Sequence, residues 1–469
     1  MKKISFFMLA AAIMLSACSG GSKQSETQET KSMFTGAKGE VKLMTLDPGH
    51  FHAALVQKSM YDQVDPVVHI YAPEGSELQS HLKLIERFNN RAENPTSWES
   101  VVYTGQDFFE KMISEKPGNV MVTAGNNAEK TDFILRTVEA GINVLADKPM
   151  VISPDEFPKL EQAFKVAEEK GVMLYDIMTE RYEITTMLQR ELSNVPEVFG
   201  TLVEGTPENP AITKESVHHF FKHVSGSPLI RPAWFFDVNQ QGEGIVDVTT
   251  HLVDLVQWEV FPEVTLKKED VNIVSARRWT TDLTPEMFQK VTQLDKYPDY
   301  LQKDVENDIL KVYSNGEINY KLKGIHAKVS VIWNYQAPEG AGDTHYSIMR
   351  GTKCNLIIKQ GEEEGYKPKL YVEATSEEGL DTFAGGLEKA VNQDLAAKFP
   401  GVQLKKLNDN RWMVEIPEKY KVGHEAHFGQ VTQKYLQYLA QGKMPEWEVP
   451  NMIVKYYTTT EGMKAAMNQ

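Results

Sequence analysis

Two cysteines in 469 residues leave this chain almost without sulfur chemistry. Cys18 closes an apolar leader, so Cys354 has no partner for an intramolecular disulfide. The fold must therefore hold by packing, and a chain of this length can bury a large core and favours two domains. Cations are in deficit: 50 Lys and Arg against 65 Asp and Glu give a formal net charge of -15. An acidic surface repels phosphate backbones and anionic head groups, which excludes nucleic acid and electrostatic membrane docking as partners. Neutral or cationic small molecules remain, and the aromatic share of 10% offers faces on which sugar rings stack. No internal repeat is present, and low complexity is confined to one N-terminal stretch.

What the N-terminus does contain is an export pattern. Lys2 and Lys3 precede an apolar run from Ile4 to Leu15, too short to span a bilayer as a mature helix, and Leu15-Ser16-Ala17-Cys18 follows. This resembles a bacterial lipobox, which implies a signal peptide over residues 1–17, lipid attachment at Cys18 and an extracytoplasmic, membrane-anchored protein. Loss of Lys2 and Lys3 with the signal takes the charge from -15 to -17. No Arg-Arg pair precedes the run, so the twin-arginine route is not indicated. Residues 18–40, rich in Ser, Gly, Thr, Gln and Lys, form a flexible tether.

From residue 41 strands alternate with helices: strand Val41 to Leu46, helix Phe51 to Met60, strand Val67 to Tyr71, helix Leu78 to Phe88, strand Val101 to Thr104, helix Phe108 to Ile113, strand Val120 to Ala124, helix Lys130 to Ala140 and strand Ile142 to Ala146. Helix Pro154 to Lys170 and strand Val172 to Tyr175 complete the set. This predicts an α/β domain over residues 41–178, a doubly wound parallel sheet with right-handed crossovers. After about residue 180, period-two alternation in Asp308 to Tyr313, Ile318 to Leu322, Ala327 to Trp333, Tyr346 to Met349 and Cys354 to Lys359, with Asn315-Gly316 read as a hairpin turn, predicts a mainly antiparallel open sheet in an α+β domain over residues 179–469.

Chemistry concentrates in a few places. In Glu139 to Pro149, EAGINVLADKP, a helix closes at Gly141, a strand follows, and Asp147-Lys148-Pro149 presents a lysine at the strand's C-terminal edge, where open α/β sheets bind ligands. In Gly242 to Asp254, GEGIVDVTTHLVD, Asp247 and His251 are four apart and share a face if helical, a spacing that suits an acid/base pair. Imidazole, with an unperturbed pKa near ~6.5, suits the base.

Residues 118–149, the Gly242 to Asp254 segment, and His427-Phe428 with Pro445 and Asn451 resemble the Gfo/Idh/MocA oxidoreductases, a likeness covering most of residues 41–465. The resemblance implies an N-terminal Rossmann domain, a nicotinamide cofactor and Lys148, Asp247 and His251 as catalytic residues. Asp147 stands in for the glutamate of the family's Glu-Lys-Pro. The chain departs from the family at the first turn, Leu46-Asp47-Pro48-Gly49-His50-Phe51-His52-Ala53, which keeps one glycine where three let a backbone approach a pyrophosphate. Gly49, His50 and His52 are the candidate contacts there. Glu74 is the candidate for the ribose hydroxyls, and the lack of a neighbouring arginine favours NAD over NADP. Gly125, Asn126 and Asn127 occupy the loop after the fourth strand, with Lys130 where a histidine is usual.

The cluster His218, His219 and His223 puts two histidines at i, i+4, but without a His-Glu-x-x-His pattern or a nearby cysteine no metal is expected. His219, Lys222, His223, Arg231, Trp234 and Asp237 are instead candidates for substrate contacts, and Arg181 for a substrate-facing or interdomain role. The function expected is hydride transfer between a tightly bound nicotinamide and a sugar or glycoside ring hydroxyl, recycled by an unidentified redox partner. Two rivals stay open: a glycosidase that uses NAD with no net redox change, and a non-enzymatic carbohydrate-binding lipoprotein. A homo-oligomer is implied by resemblance only.

Overall fold

The computed structural model describes residues 34–224 and 227–468. Cys18 and the segment read as a signal peptide lie outside the described residues. The first half alternates as its sequence predicts: β1 (Leu43–Leu46), α1 (His52–Leu55), β2 (Val67–Tyr71), α2 (Ser76–Asn90), β3 (Glu99–Tyr103), α3 (Phe108–Glu115), β4 (Val120–Thr123), α4 (Lys130–Glu139), β5 (Asn143–Asp147), α5 (Phe157–Lys170) and β6 (Leu174–Ile177). Every pairing in this sheet is parallel, and the order is β3-β2-β1-β4-β5-β6. The order reverses direction between β1 and β4, so a crevice opens beyond their C-terminal ends. The strands β1, β4, β5 and β6 are buried throughout, as parallel strands covered on both faces must be.

One expected element is much shorter. The helix after the first turn spans only His52–Leu55, one turn, instead of running to Met60.

The second half adds α6 (Ile184–Ser193), β7 (Ile212–Phe221), the short β8 (His223–Val224) and β9 (Ser227–Pro228), α7 (Val238–Gln241), α8 (Thr249–Val260), β10 (Val271–Leu283), α9 (Pro285–Thr292), β11 (Val305–Glu306), β12 (Ile309–Leu322), β13 (Ile325–Gln336), β14 (Thr344–Arg350), β15 (Cys354–Lys359), β16 (Lys369–Ala374), α10 (Leu380–Lys389), α11 (Ala396–Lys398), β17 (Gln403–Lys406), β18 (Arg411–Glu415), α12 (His424–Gln441) and α13 (Glu448–Met467). The large sheet runs β10-β12-β13-β7-β14-β15-β16-β18-β17, with β11 beside β12. It is antiparallel except where β7 meets β13. Apolar residues of α6 and α8, such as Leu188, Leu192, Leu252 and Val256, share a core with its inner face, and Cys354 is buried in that core.

The chain then returns. Phe428, Val431, Tyr435 and Leu439 of α12 and Met452 and Tyr456 of α13 belong to the same core as β1, β4, β5 and β6. Tyr175 of β6 stacks on Tyr435 and meets Tyr438 edge-on. The parallel sheet is thus finished by the last two helices of the chain.

Asn315-Gly316 is not the hairpin turn that its sequence suggests. It lies inside the continuous β12, and the turn to β13 falls at Lys323-Gly324, both with positive φ. The pair is spent on packing. Asn315 donates to the Trp279 carbonyl and accepts from the Trp333 backbone. A Cβ on Gly316 would stand 2.5 Å from the Ile245 Cβ, and one on Gly244 would stand 1.7 Å from the Ser314 carbonyl oxygen. The Gly242–Asp247 segment is therefore laid backbone to backbone on β12. Gly316→Ala should destabilise the fold by about 1–3 kcal/mol through overpacking; a melting temperature equal to wild type would refute that contact.

Candidate functional site

The C-terminal edge of β5 carries the centre of the site. Asp147 is its last residue, and the Lys148–Pro149 peptide that follows is cis. The Lys148 ammonium lies 2.5 Å from Asp247 Oδ1, both side chains largely buried. Asp247 Oδ2 accepts from Gln241 Nε2 at 3.1 Å. Asp247 sits in the turn that leads into α8, fixed by its amide donating to the Glu243 carbonyl, and the first turn of α8 then carries His251. The two residues keep the expected spacing, but Asp247 partners Lys148 and Gln241. His251 is buried and its Nδ1 has no hydrogen-bond partner. Burial, then the Lys148 charge, pushes its pKa down to about 4, so the imidazole is neutral.

The first turn stands opposite. His52 Nδ1 is 3.0 Å from Asp147 Oδ2, and His50 Nδ1 is 4.0 Å from the same oxygen. Burial holds both imidazoles well below the ordinary histidine range. His52 packs on Phe428 of α12, with His424 beside it. Lys130, buried at the start of α4, donates to the Asp147 carbonyl at 3.1 Å. Burial brings its amine down to about 8.

Beyond the turn lies a cavity of about 470 Å³ at the sheet's reversal point. Asp47, Gly49, Glu74, Glu77, Asn126, Glu129, Trp234 and Gln240 are among its lining residues. Gly125 lets the two loops touch, since a Cβ there would meet the Asp47 carbonyl oxygen at 2.2 Å. Place and size fit a dinucleotide, with exposed Glu74 at the end of β2. The departure is acidity: burial, Glu77 and Glu129 raise the Asp47 carboxyl to about 6, against Lys130. Asp47 also holds a left-handed φ of 45° in the place of a glycine.

Several predicted contacts are committed elsewhere. Asn126 Nδ2 donates to Gln240 Oε1 at 2.7 Å and Asn127 Nδ2 to the Gln241 carbonyl at 2.7 Å, so this loop clasps α7. Trp234, expected against substrate, lies over Gly49 in the cavity wall. Asp237 caps α7, accepting from the Asn239 amide, Gln240 and Lys303, and so serves structure rather than substrate. Arg181 is committed to two acids: it makes two 2.7 Å bonds to Asp254 and also reaches both oxygens of Glu448. His223 is exposed on β8, and because His219 and His223 lie on strands their four-residue spacing has no helical meaning.

The remaining candidates cluster together. Arg231 donates to the Phe220 and His219 carbonyls while stacked on Phe235 and Trp333. Lys222 pairs with Asp343, whose other neighbours are His218 at 2.9 Å and His219 at 3.5 Å. Sequence reasoning missed Asp343, which comes from the loop before β14, and it missed His345, half-buried with its buried Nε2 unpartnered. It also missed Glu180, 3.4 Å from His424. Nothing local marks these residues, because each is recruited by tertiary contact.

A parallel sheet with this strand order, a lysine at the β5 edge and a following, mostly antiparallel sheet define an oxidoreductase fold of the Gfo/Idh/MocA type. Residues 188–467 match the family described as "Putative oxidoreductase C terminal domain", and the chain belongs to that family. A crystal structure of a "putative oxidoreductase" from Parabacteroides merdae is 60% identical, with a TM-score of 0.91 over 93% of this chain and 100% of that one. More distant likenesses, which share the fold, include levoglucosan dehydrogenase in complex with NADH and levoglucosan, at 12% identity and TM-score 0.56 over 91% of this chain and 97% of that one. GenD2 from gentamicin A biosynthesis in complex with NAD gives 16% identity and TM-score 0.55 over 93% and 97%. No curated protein matches.

His251 and His345 are both held down to about 4 by burial, followed by the charge of a lysine. The unfolded chain protonates them near ~6.5. Between those values the unfolded state holds more protons, so stability falls as pH drops from 6.5 toward 4. The melting temperature should fall across that interval, and His345→Gln should flatten the fall; an unchanged slope would assign the loss to other groups.

Proposed function

We propose that this protein is an extracytoplasmic, lipid-anchored oxidoreductase that moves a hydride between a tightly held NAD and a ring hydroxyl of a sugar or glycoside. The observation that carries the reading is the Lys148–Asp247 pair beside neutral His251, at the β5 edge and next to a dinucleotide-sized cavity. Glu74 would hold the adenosine ribose, and the touching Gly49 and Gly125 loops would admit the phosphates. A bound nicotinamide ring supplies the hydride acceptor or donor.

The chain's own part is acid–base and electrostatic. His251, neutral at working pH, accepts the hydroxyl proton of the substrate. The Lys148 ammonium, oriented by Asp247, stabilises the negative charge that develops on the same oxygen. Asp247 is itself fixed by Gln241, so the ammonium is aimed before substrate arrives. A neutral, hydroxyl-rich substrate suits the mixed cluster of His218, His219, Lys222 and Asp343, which offers donors and acceptors. Sugar as the class is supported by the levoglucosan dehydrogenase likeness, and NAD by the same neighbour and by GenD2. The carboxylate of Glu74 would oppose a 2′-phosphate, which favours NAD over NADP.

Outside the cytoplasm free cofactor is scarce, so the nucleotide must be retained and recycled in place. Denaturing the mature protein should release NAD detectable by mass spectrometry, and Lys148→Met should lower kcat/KM for glycoside oxidation by about 10²–10³-fold with nucleotide retained. Absence of nucleotide, with no affinity on adding it back, would leave a carbohydrate-binding protein; glycoside cleavage without net redox change would give the glycosidase. Cys18→Ala should shift the protein from membrane to soluble fractions, and retention in the membrane would exclude the lipid anchor.

A further inference from the structure

Among the described residues, one group of three His, Cys, Asp or Glu side chains has donor atoms all within 4.8 Å of one another: His50, His52 and Asp147. It is assembled from the first turn and the end of β5, and no step of the proposed hydride transfer needs its two imidazoles. We propose that these three residues form a mononuclear site for a divalent transition ion of the zinc class, with an open coordination position toward the cleft.

The donor set is two imidazole nitrogens and one carboxylate oxygen, the composition of three-ligand zinc sites that keep a fourth position free. Imidazole also selects zinc and its neighbours over magnesium and calcium, which demand oxygen. Bonds of about 2.0–2.2 Å in a tetrahedron put ligand atoms roughly 3.4 Å apart. The observed separations from Asp147 Oδ2, 3.0 Å to His52 and 4.0 Å to His50, straddle that value. Closing the site needs a small swing of the His50 ring that frees its Nδ1 from the His52 amide, 3.4 Å away, and His50 is the least confined of the three: its side chain is 24% exposed, against 11% for His52 and 7% for Asp147. That exposure is also the opening for a water or substrate oxygen.

Surrounding groups hold the ligands in place. The His50 amide donates to the Ala124 carbonyl, and His52 is packed against Phe428 and His424. The Asp147 carbonyl accepts from Lys130. Three nearby cations, Lys130, Lys148 and Arg231, oppose an added cation, and the carboxylates of Asp47, Asp147 and Asp247 offset them. The site stands one residue from Lys148, so an ion there adds a second positive centre beside the place where substrate oxygen is expected.

The proposal concerns binding of the ion and stands whether or not the redox reading holds. The test is to strip the full-length mature chain with a chelator, add Co²⁺ alone and record the visible d–d absorption, then measure zinc content after reloading. About one ion per chain is expected, with the absorption of a low-symmetry nitrogen–oxygen site. His50→Ala and Asp147→Asn should each abolish the absorption while keeping the wild-type melting curve. His50 is partly exposed, so its variant remains informative if Asp147→Asn fails to fold. No Co²⁺ absorption by folded wild-type chain overturns the proposal, as does uptake undiminished in His50→Ala. NAD affinity measured on the same stripped sample separates failure of the redox reading from failure of the metal site.

Discussion

A buried ring of charge holds this molecule in register. Lys455, fully buried on α13, reaches Asp176 at 2.6 Å and Asp254 at 3.0 Å, while Arg181 grips Asp254 and Glu448. Tyr456 donates to Asp176 and Tyr438 to Glu448. Two cations and three carboxylates out of water would be costly alone, and the network persists because every charged group finds partners. Burial of the arginine is offset by its two acids, which hold the guanidinium firmly charged. Removing one member would leave an uncompensated interior charge, a loss of ~3–5 kcal/mol.

The chemistry depends on that ring because of where its members lie. Asp254 is three residues past His251 on α8, Asp176 is on β6, and Arg181 follows β6 directly. The network therefore fixes the axial position of α8 against the parallel sheet, which sets His251 against Lys148. The approach of Gly244 to β12 fixes the other end of the same segment. Between a salt-bridged helix and a backbone contact that tolerates no Cβ, Asp247 has little freedom, and the aim of the Lys148 ammonium follows from both.

Much of this was legible in the chain itself. Apolar runs between amphipathic helices are local signals, so the alternation of strands and helices and the Asp147-Lys148-Pro149 edge could be read directly, and the Gly-rich segment stood out by composition. What could not be read was any contact made over distance. Arg181 finds acids 73 and 267 residues away, and His52 finds Asp147 across 95. Asn315-Gly316 carries a turn signal, yet its glycine answers to Ile245 and not to a reversal of the chain. The four-residue spacing of His219 and His223 implied a helix, but an extended strand at Ile212–Phe221 puts their relation in different terms. Periodicity reports local conformation; the identity of a buried ion's partner is decided by the fold.

The return of α12 and α13 to the first sheet has a consequence for biosynthesis. The core around β6 includes Tyr435 and Tyr456, so the N-terminal sheet cannot close until nearly the whole chain has been made. Ribosomal synthesis at ~5–20 residues per second leaves that sheet open for tens of seconds, with high sequence separation between the contacts that finish it. Throughout that interval the half-made sheet exposes the apolar faces that α12 and α13 will cover, so the two helices act as a latch on a core assembled from both halves of the chain.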